Sequence, residues 1–186
     1  MRRVMFGFLA VLFMCSAAVT FSQSGMPPTT TTFVMADEIE KVVSAPGGGD
    51  RPVKIVDMGK YNISIAVLRR GATKPGAPVG AINHTKVTEV YYVVSGSGTL
   101  VTGGEVKDTK PAAADSQIVR EAVGPSNNAT FVKPAQTRKV STGDMIIIPA
   151  GVYHGFSEVP DHIEYVTVRP DVEKVLPAGY VSPFLK

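Results

Sequence analysis

Hydrophobic and polar positions along this chain repeat with two different periods. Over Ala36 to Ser44 the period is helical: Asp37 and Glu38 sit where a first turn favours acids, and Ile39, Val42 and Val43 fall on one face. Pro46 and Gly47-Gly48-Gly49 end this short helix. From Val53 onward the period is two. Asn62, Ser64 and Ala66 alternate with Ile63, Ile65 and Val67, which predicts a half-buried strand. Val90 to Val94 is β-branched and aromatic, and Gly96-Ser97-Gly98 predicts a turn. A strand over Thr99 to Thr102 and a second turn at Gly103-Gly104 follow. Glu105 to Ser116 is polar and Ala-rich and predicts a loop. Short strands are predicted at Gln117 to Glu121, Ala129 to Val132 and Gln136 to Val140. Met145 to Ile148 is apolar and ends at Pro149-Ala150-Gly151. Ile163 to Val168 alternates again, and a short helix or irregular tail follows Pro170. Many short strands with Gly and Pro turns predict an all-β sandwich or barrel with one short N-terminal helix.

Length and charge refine this picture. A chain of 186 residues suits one domain with its own core. Met1-Arg2-Arg3 followed by an apolar run from Val4 to Val19, with small residues around Ser16 to Ala18, reads as an export signal. The run is short for a membrane span of about 20 residues. The expected organisation is a signal peptide over 1–22, a flexible lead and short helix over 23–52, a barrel over 53–170 and a tail over 171–186. The protein is then secreted or periplasmic, with no stable membrane span after cleavage. Losing Arg2 and Arg3 reduces the 19 basic residues to 17 against 16 acidic ones, so the formal charge falls from +3 to +1. No basic stripe with interleaved aromatics remains, and nucleic acid is not an expected partner. The single cysteine, Cys15, leaves with the signal, so any metal must be held by nitrogen and oxygen.

The three histidines carry the candidate chemistry. His84 and Glu89 are five residues apart, an odd spacing that would send them to opposite faces of one continuous strand. A turn or bulge over Lys86 to Thr88 would let them converge. With Glu89 inward, Tyr91 and Val93 point inward too, and Val90, Tyr92 and Val94 face out. His154 begins a return strand after the Pro149-Ala150-Gly151 turn, with Phe156 and Glu158 on its face. Two strands from separate hairpins could thus bring two imidazoles and a carboxylate into one cavity, leaving coordination positions open for water or substrate. A lone carboxylate aimed into an apolar barrel also favours a nearby cation. His162, after Pro160-Asp161, reads as an exposed turn residue.

The stretch Gly80 to Gly96 resembles the first motif of the cupin superfamily, with His84, four residues, Glu89, six residues and Gly96 in place. Gly143 to His154 resembles the second: Gly143, five residues, Pro149-x-Gly151, two residues, His154. The resemblance spans about Val53 to Val168 and is closest to small secreted single-domain cupins. It implies a cupin-type double-stranded β-helix, a jelly-roll barrel. It also implies one divalent metal (Fe, Mn, Ni or Zn) on His84, Glu89 and His154. Two departures stand out: the family's first histidine falls at Ile82, and the terminal Asn of the second motif falls at Glu158.

The expected function is a metal-binding barrel acting on or binding a small organic molecule. A non-haem-iron-type oxygenase leads, with isomerase or lyase chemistry as another enzymatic reading and non-catalytic ligand binding or sensing as the alternative. Glu158 and Tyr91 are the candidate acid/base residues, and Lys86 and Arg138 the candidates for gripping an anion. A homodimer through Val90, Tyr92 and Val94 follows from the resemblance. Sequons occur at Asn62, Asn83 and Asn128, and a glycan on Asn83 would fit poorly beside His84.

Overall fold

The structure is a computed structural model that describes residues 26–186. The expected signal peptide over 1–22 lies outside the described residues. Within them the chain forms one helix, α1 (Ala36–Val43), and eight strands: β1 (Arg51–Asp57), β2 (Asn62–Gly71), β3 (Gly80–His84), β4 (Glu89–Pro111), β5 (Ser126–Ser141), β6 (Met145–Ile148), β7 (His154–Glu158) and β8 (His162–Asp171). All pairings are antiparallel, in the order β1-β2-β8-β4-β5-β3-β7, with β6 on β4 and a further β4–β7 pairing. No described helix is long and apolar enough to cross a membrane.

α1 starts with the Glu38 carboxylate accepting the Met35 backbone N–H at 2.9 Å, which satisfies one orphan donor of the first turn. Its Val42 and Val43 pack on Val53 and Val67, as the helical period requires. The barrel core is built from inward positions of five strands, including Leu68, Tyr91, Leu100, Ile163 and Tyr165.

The strand β4 departs most from expectation. Gly96-Ser97-Gly98 and Gly103-Gly104 are not turns, and Glu105 to Pro111 is not loop; all belong to one 23-residue strand. Its first part pairs with β6 and β8, and its second with β5 and β7. The glycines make the bend between sheets. At Gly96 φ is +73°, and a Cβ there would stand 2.0 Å from the His162 carbonyl oxygen. The two strands predicted over Ala129 to Val132 and Gln136 to Val140 are likewise one strand, β5. Gln117 to Glu121 is not a strand: Val119–Val123 form a π-helical turn that buries Val119, Ala122 and Val123. Such apolar spacing is ambiguous over so few residues.

The C-terminal segment is packed onto the barrel. Leu176 joins Ile55 and Val87 in a small cluster. Buried Asp171 accepts the backbone N–H groups of Val175 and Leu176 at 2.9 and 2.8 Å.

Candidate metal centre

Both halves of the site come from strand ends. β3 stops at His84, residues 85–88 turn, and β4 starts at Glu89, so the turn cancels the odd spacing. The Pro149–Gly151 turn then ties the second half to the first. Gly151 N–H donates to the His84 carbonyl at 2.8 Å, and the Asn83 side-chain amide donates to the Gly151 carbonyl at 3.1 Å. β7 lies so close to β3 that a Cβ on Gly155 would be 2.2 Å from the Gly80 carbonyl oxygen. This places His154 directly opposite Ile82.

The three expected ligands meet. Glu89 Oε2 is 3.3 Å from His84 Nε2 and 3.1 Å from His154 Nε2, and all three side chains are buried. The hydrogen-bond partners fix both tautomers. Ser126 Oγ spends its proton on the Gly124 carbonyl at 2.8 Å, so His84 Nδ1 must be the donor across its own 2.8 Å contact to Ser126 Oγ. His154 Nδ1 faces the Val152 carbonyl at 3.0 Å and must also donate. In the neutral ring each Nε2 then turns a lone pair toward the carboxylate, the orientation that a metal-binding imidazole needs.

Three converging acceptors repel one another unless a cation or protons lie between them. Ligand atoms about 2.1 Å from a common ion stand about 3.0 to 3.4 Å apart at octahedral or tetrahedral angles. The observed 3.1 and 3.3 Å agree with this spacing, so the donor set fits a divalent ion.

Arg169, which the sequence reading did not single out, completes the centre. It is fully buried on β8, and all five of its N–H groups are used. Nε and one terminal nitrogen hold Glu89 Oε1 at 2.8 and 2.7 Å. The other terminal nitrogen donates to Asp50 Oδ1 at 2.9 Å and to the Ala122 carbonyl at 3.1 Å, and Asp50 Oδ2 takes the remaining proton. Burial alone would push the Glu89 carboxyl up, but the adjacent guanidinium holds it well below the usual carboxylate range. With Oε1 saturated, Glu89 has only Oε2 to offer an ion. Tyr91 donates its hydroxyl to that same oxygen at 3.0 Å. Burial, and then the Glu89 charge, push the Tyr91 pKa well above 10, so it stays a donor.

Other expected positions lie elsewhere. Glu158 is exposed at the far end of β7, about 13 Å along the strand from His154 at ordinary strand rise. A bulge at Ser157 breaks its alignment with Phe156, and the structure does not bring it to the cluster. Lys86 pairs on the surface with Glu173 at 2.9 Å. Arg138 lines a cleft with Leu100 and Met145 that contains none of the three ligands. His162 begins β8, half-buried, and contacts Asp161 at 2.7 Å and Ser95 at 3.3 Å. Asn62 and Asn83 are buried and hydrogen-bonded, whereas Asn128 is exposed.

The chain belongs to the cupin family: the family's sequence profile, described as "Cupin", matches residues 36–169. Proteins of this family typically bind a metal. Among solved structures, it is similar to a protein from Bacillus halodurans (13% identity, 85% of this chain and 93% of that one, TM-score 0.47). It is also similar to an uncharacterized conserved protein with a double-stranded β-helix domain from Klebsiella pneumoniae (15% identity, 81% and 93%, TM-score 0.44). A third is an RmlC-like cupin family protein from Methanocaldococcus jannaschii (11% identity, 70% and 88%, TM-score 0.39). No curated protein matches the chain.

Proposed function

We propose that His84, Glu89 and His154 hold one divalent metal ion and that the protein acts there on a small organic molecule. The observation that carries this reading is the convergence of two imidazole lone pairs on one carboxylate oxygen, each imidazole locked by its own Nδ1 bond. The N₂O donor set suits Fe, Mn, Ni or Zn and leaves positions open for substrate. A bound ion of this kind supplies Lewis-acid polarisation of a coordinated oxygen or, as iron, dioxygen chemistry of the oxygenase type. The chain's own groups prepare the site. Arg169 orients Glu89, and Tyr91 keeps its proton on the oxygen beside the ion. Leu68, Ile82 and Val123 line a cavity of about 180 Å³ and limit water. The site stands without Glu158.

Metal analysis of the purified protein tests the centre. We expect close to one divalent ion per chain in the wild type and loss of most of it in His84→Ala and in His154→Ala. Full retention by either variant would remove the assignment. Oxygen consumption by the iron-loaded protein with an added substrate separates the oxygenase from a ligand-binding or sensing role.

We further propose that the protein is exported by a leader that is then cleaved, and works as a homodimer. Val90 pairs with Ile147 and Tyr92 with Met145 across β4 and β6. Tyr92 on β4 and Met145 and Ile147 on β6 are 46%, 67% and 71% exposed and form an outward apolar patch, and β6 pairs with no strand but β4 among the described residues. A second copy laid across that patch would cover it. Size-exclusion chromatography should give a dimer for the wild type and a monomer for the Tyr92→Asp, Ile147→Asp double variant. A monomeric wild type rejects this arrangement. Intact mass of the same exported sample reads the leader cleavage.

A further inference from the structure

Arg70, at the end of β2, makes no ion pair with an acidic group among the described residues, although Asp50 is near enough to act on its charge. Its Nε donates to the Tyr165 hydroxyl at 2.9 Å, and its guanidinium carbon lies 5.8 Å from the centre of the Phe156 ring. These two contacts orient the group, although Arg70 as a whole residue is exposed. Its terminal nitrogens have no hydrogen-bond or ion-pair partner among the described residues.

The position of this side chain gives it a use. Arg70, Ile82 and His154 line two neighbouring cavities: the inner one of about 180 Å³ that contains His84, and an outer cleft of about 540 Å³. The outer cleft is bounded by Ala81, Phe156 and Val159 and has no acidic side chain in its wall. In the inner cavity the one acid besides the metal ligand set is Asp50, and Arg169 already occupies both of its oxygens. Ile82, where the family resemblance expects a histidine, presents an apolar wall to both spaces.

We infer that Arg70 is the recognition group for the carboxylate of a small monoanionic substrate, whose apolar body packs between Ile82, Phe156 and Val159 beside the metal centre. A planar guanidinium with two free terminal nitrogens matches a carboxylate in a bidentate fork. Asp50, the nearby acid, is held by Arg169, which leaves that fork available, and the Phe156 and Tyr165 contacts reduce the ordering of a long side chain that the ligand must bring about. The inference rests on the metal-centre reading for the place of reaction, and its test separates the two.

The test is calorimetric titration of the metal-loaded protein with benzoate, phenylacetate and isovalerate, each against its primary amide. At least one acid should saturate below about 10 mM and bind about tenfold or more tightly than its amide, as a charge-assisted pair requires. Arg70→Met should remove that preference while metal content and the circular dichroism spectrum stay unchanged, and Arg70→Lys should restore part of it. The inference fails if no acid saturates, if the amides bind equally well, or if Arg70→Met binds the acid like the wild type. If the protein holds no metal yet keeps the Arg70-dependent preference, the metal reading falls and this one stands.

Discussion

Replacing Arg169 with Met should lower the unfolding free energy by about 3–5 kcal/mol, the usual effect of removing one partner from a buried ion pair. The variant keeps side-chain volume but strands Glu89 and Asp50 without their cation, with Glu89 at 1% exposure and Asp50 at 10%. It also loses the bond that closes the π-helical turn through the Ala122 carbonyl. Urea titrations of the metal-free proteins measure the difference, and one below about 1 kcal/mol would be a surface-pair value that contradicts the buried network. The pH dependence has a definite sign. The Glu89 pKa is depressed in the folded protein, so its contribution is complete above the unfolded value of about 4.3 and drains away as pH falls toward the folded value. Without Arg169 that depression disappears, so the gap between wild type and variant should narrow in acid.

Glu89→Gln should act on metal binding more than on folding. A glutamine can leave its carbonyl oxygen on Arg169 and turn its amide toward His84 and His154, whose Nε2 atoms lie 3.3 and 3.1 Å from Oε2 in the wild type. The amide then donates where the carboxylate could only accept, and the repulsion among three acceptors is relieved without an ion. Metal affinity should fall by more than the 10–100-fold typical of losing an outer-sphere partner, since a ligand itself is gone. Stability of the metal-free form should fall as well, since a neutral side chain no longer answers the Arg169 charge, but by less than in Arg169→Met, because Arg169 keeps Asp50 as its partner. Equilibrium dialysis and a matched urea titration read the two effects. A variant that keeps its metal would show that Glu89 is not a ligand.

The clustering of His84, Glu89 and His154 is legible because each motif states a geometry that chemistry enforces. Pro149-x-Gly151 is a turn whose backbone groups bond to Asn83 and His84, and residues 85–88 supply the half-twist that the five-residue spacing needs. Arg169 was missed by one residue: the alternating strand was ended at Val168. Continued by one residue, the pattern puts Arg169 on the face of Ile163, Tyr165 and Thr167, all buried, and a charged side chain there marks the centre. β4 was misread because Gly96 and Gly98 carry turn composition. What glycine supplies at these positions is room, where β4 crosses His162 and Phe156, and contacts of that kind have no local signature. The outer half of β4 over Glu105 to Pro111 is polar on both faces and mostly exposed, so neither period appears in it. Strict alternation places Glu158 on the face of His154 and Phe156, and the bulge at Ser157 breaks that alignment.

The long strand β4 also ties the centre to the whole of the barrel. Glu89 stands at its start, in the sheet with Arg169, while its later residues pair with β5 and β7, the strand that His154 begins. His84, Glu89, His154 and Arg169 are drawn from segments separated by up to 85 residues, and most of their contacts must await closure of long loops. The centre therefore exists only where these distant segments have come together, and forms of the chain in which they are apart present scattered donors rather than a chelate. An ion that binds there selects the finished barrel over every earlier species, adding RT ln(1 + [M]/Kd) to its stability without accelerating the search that finds it.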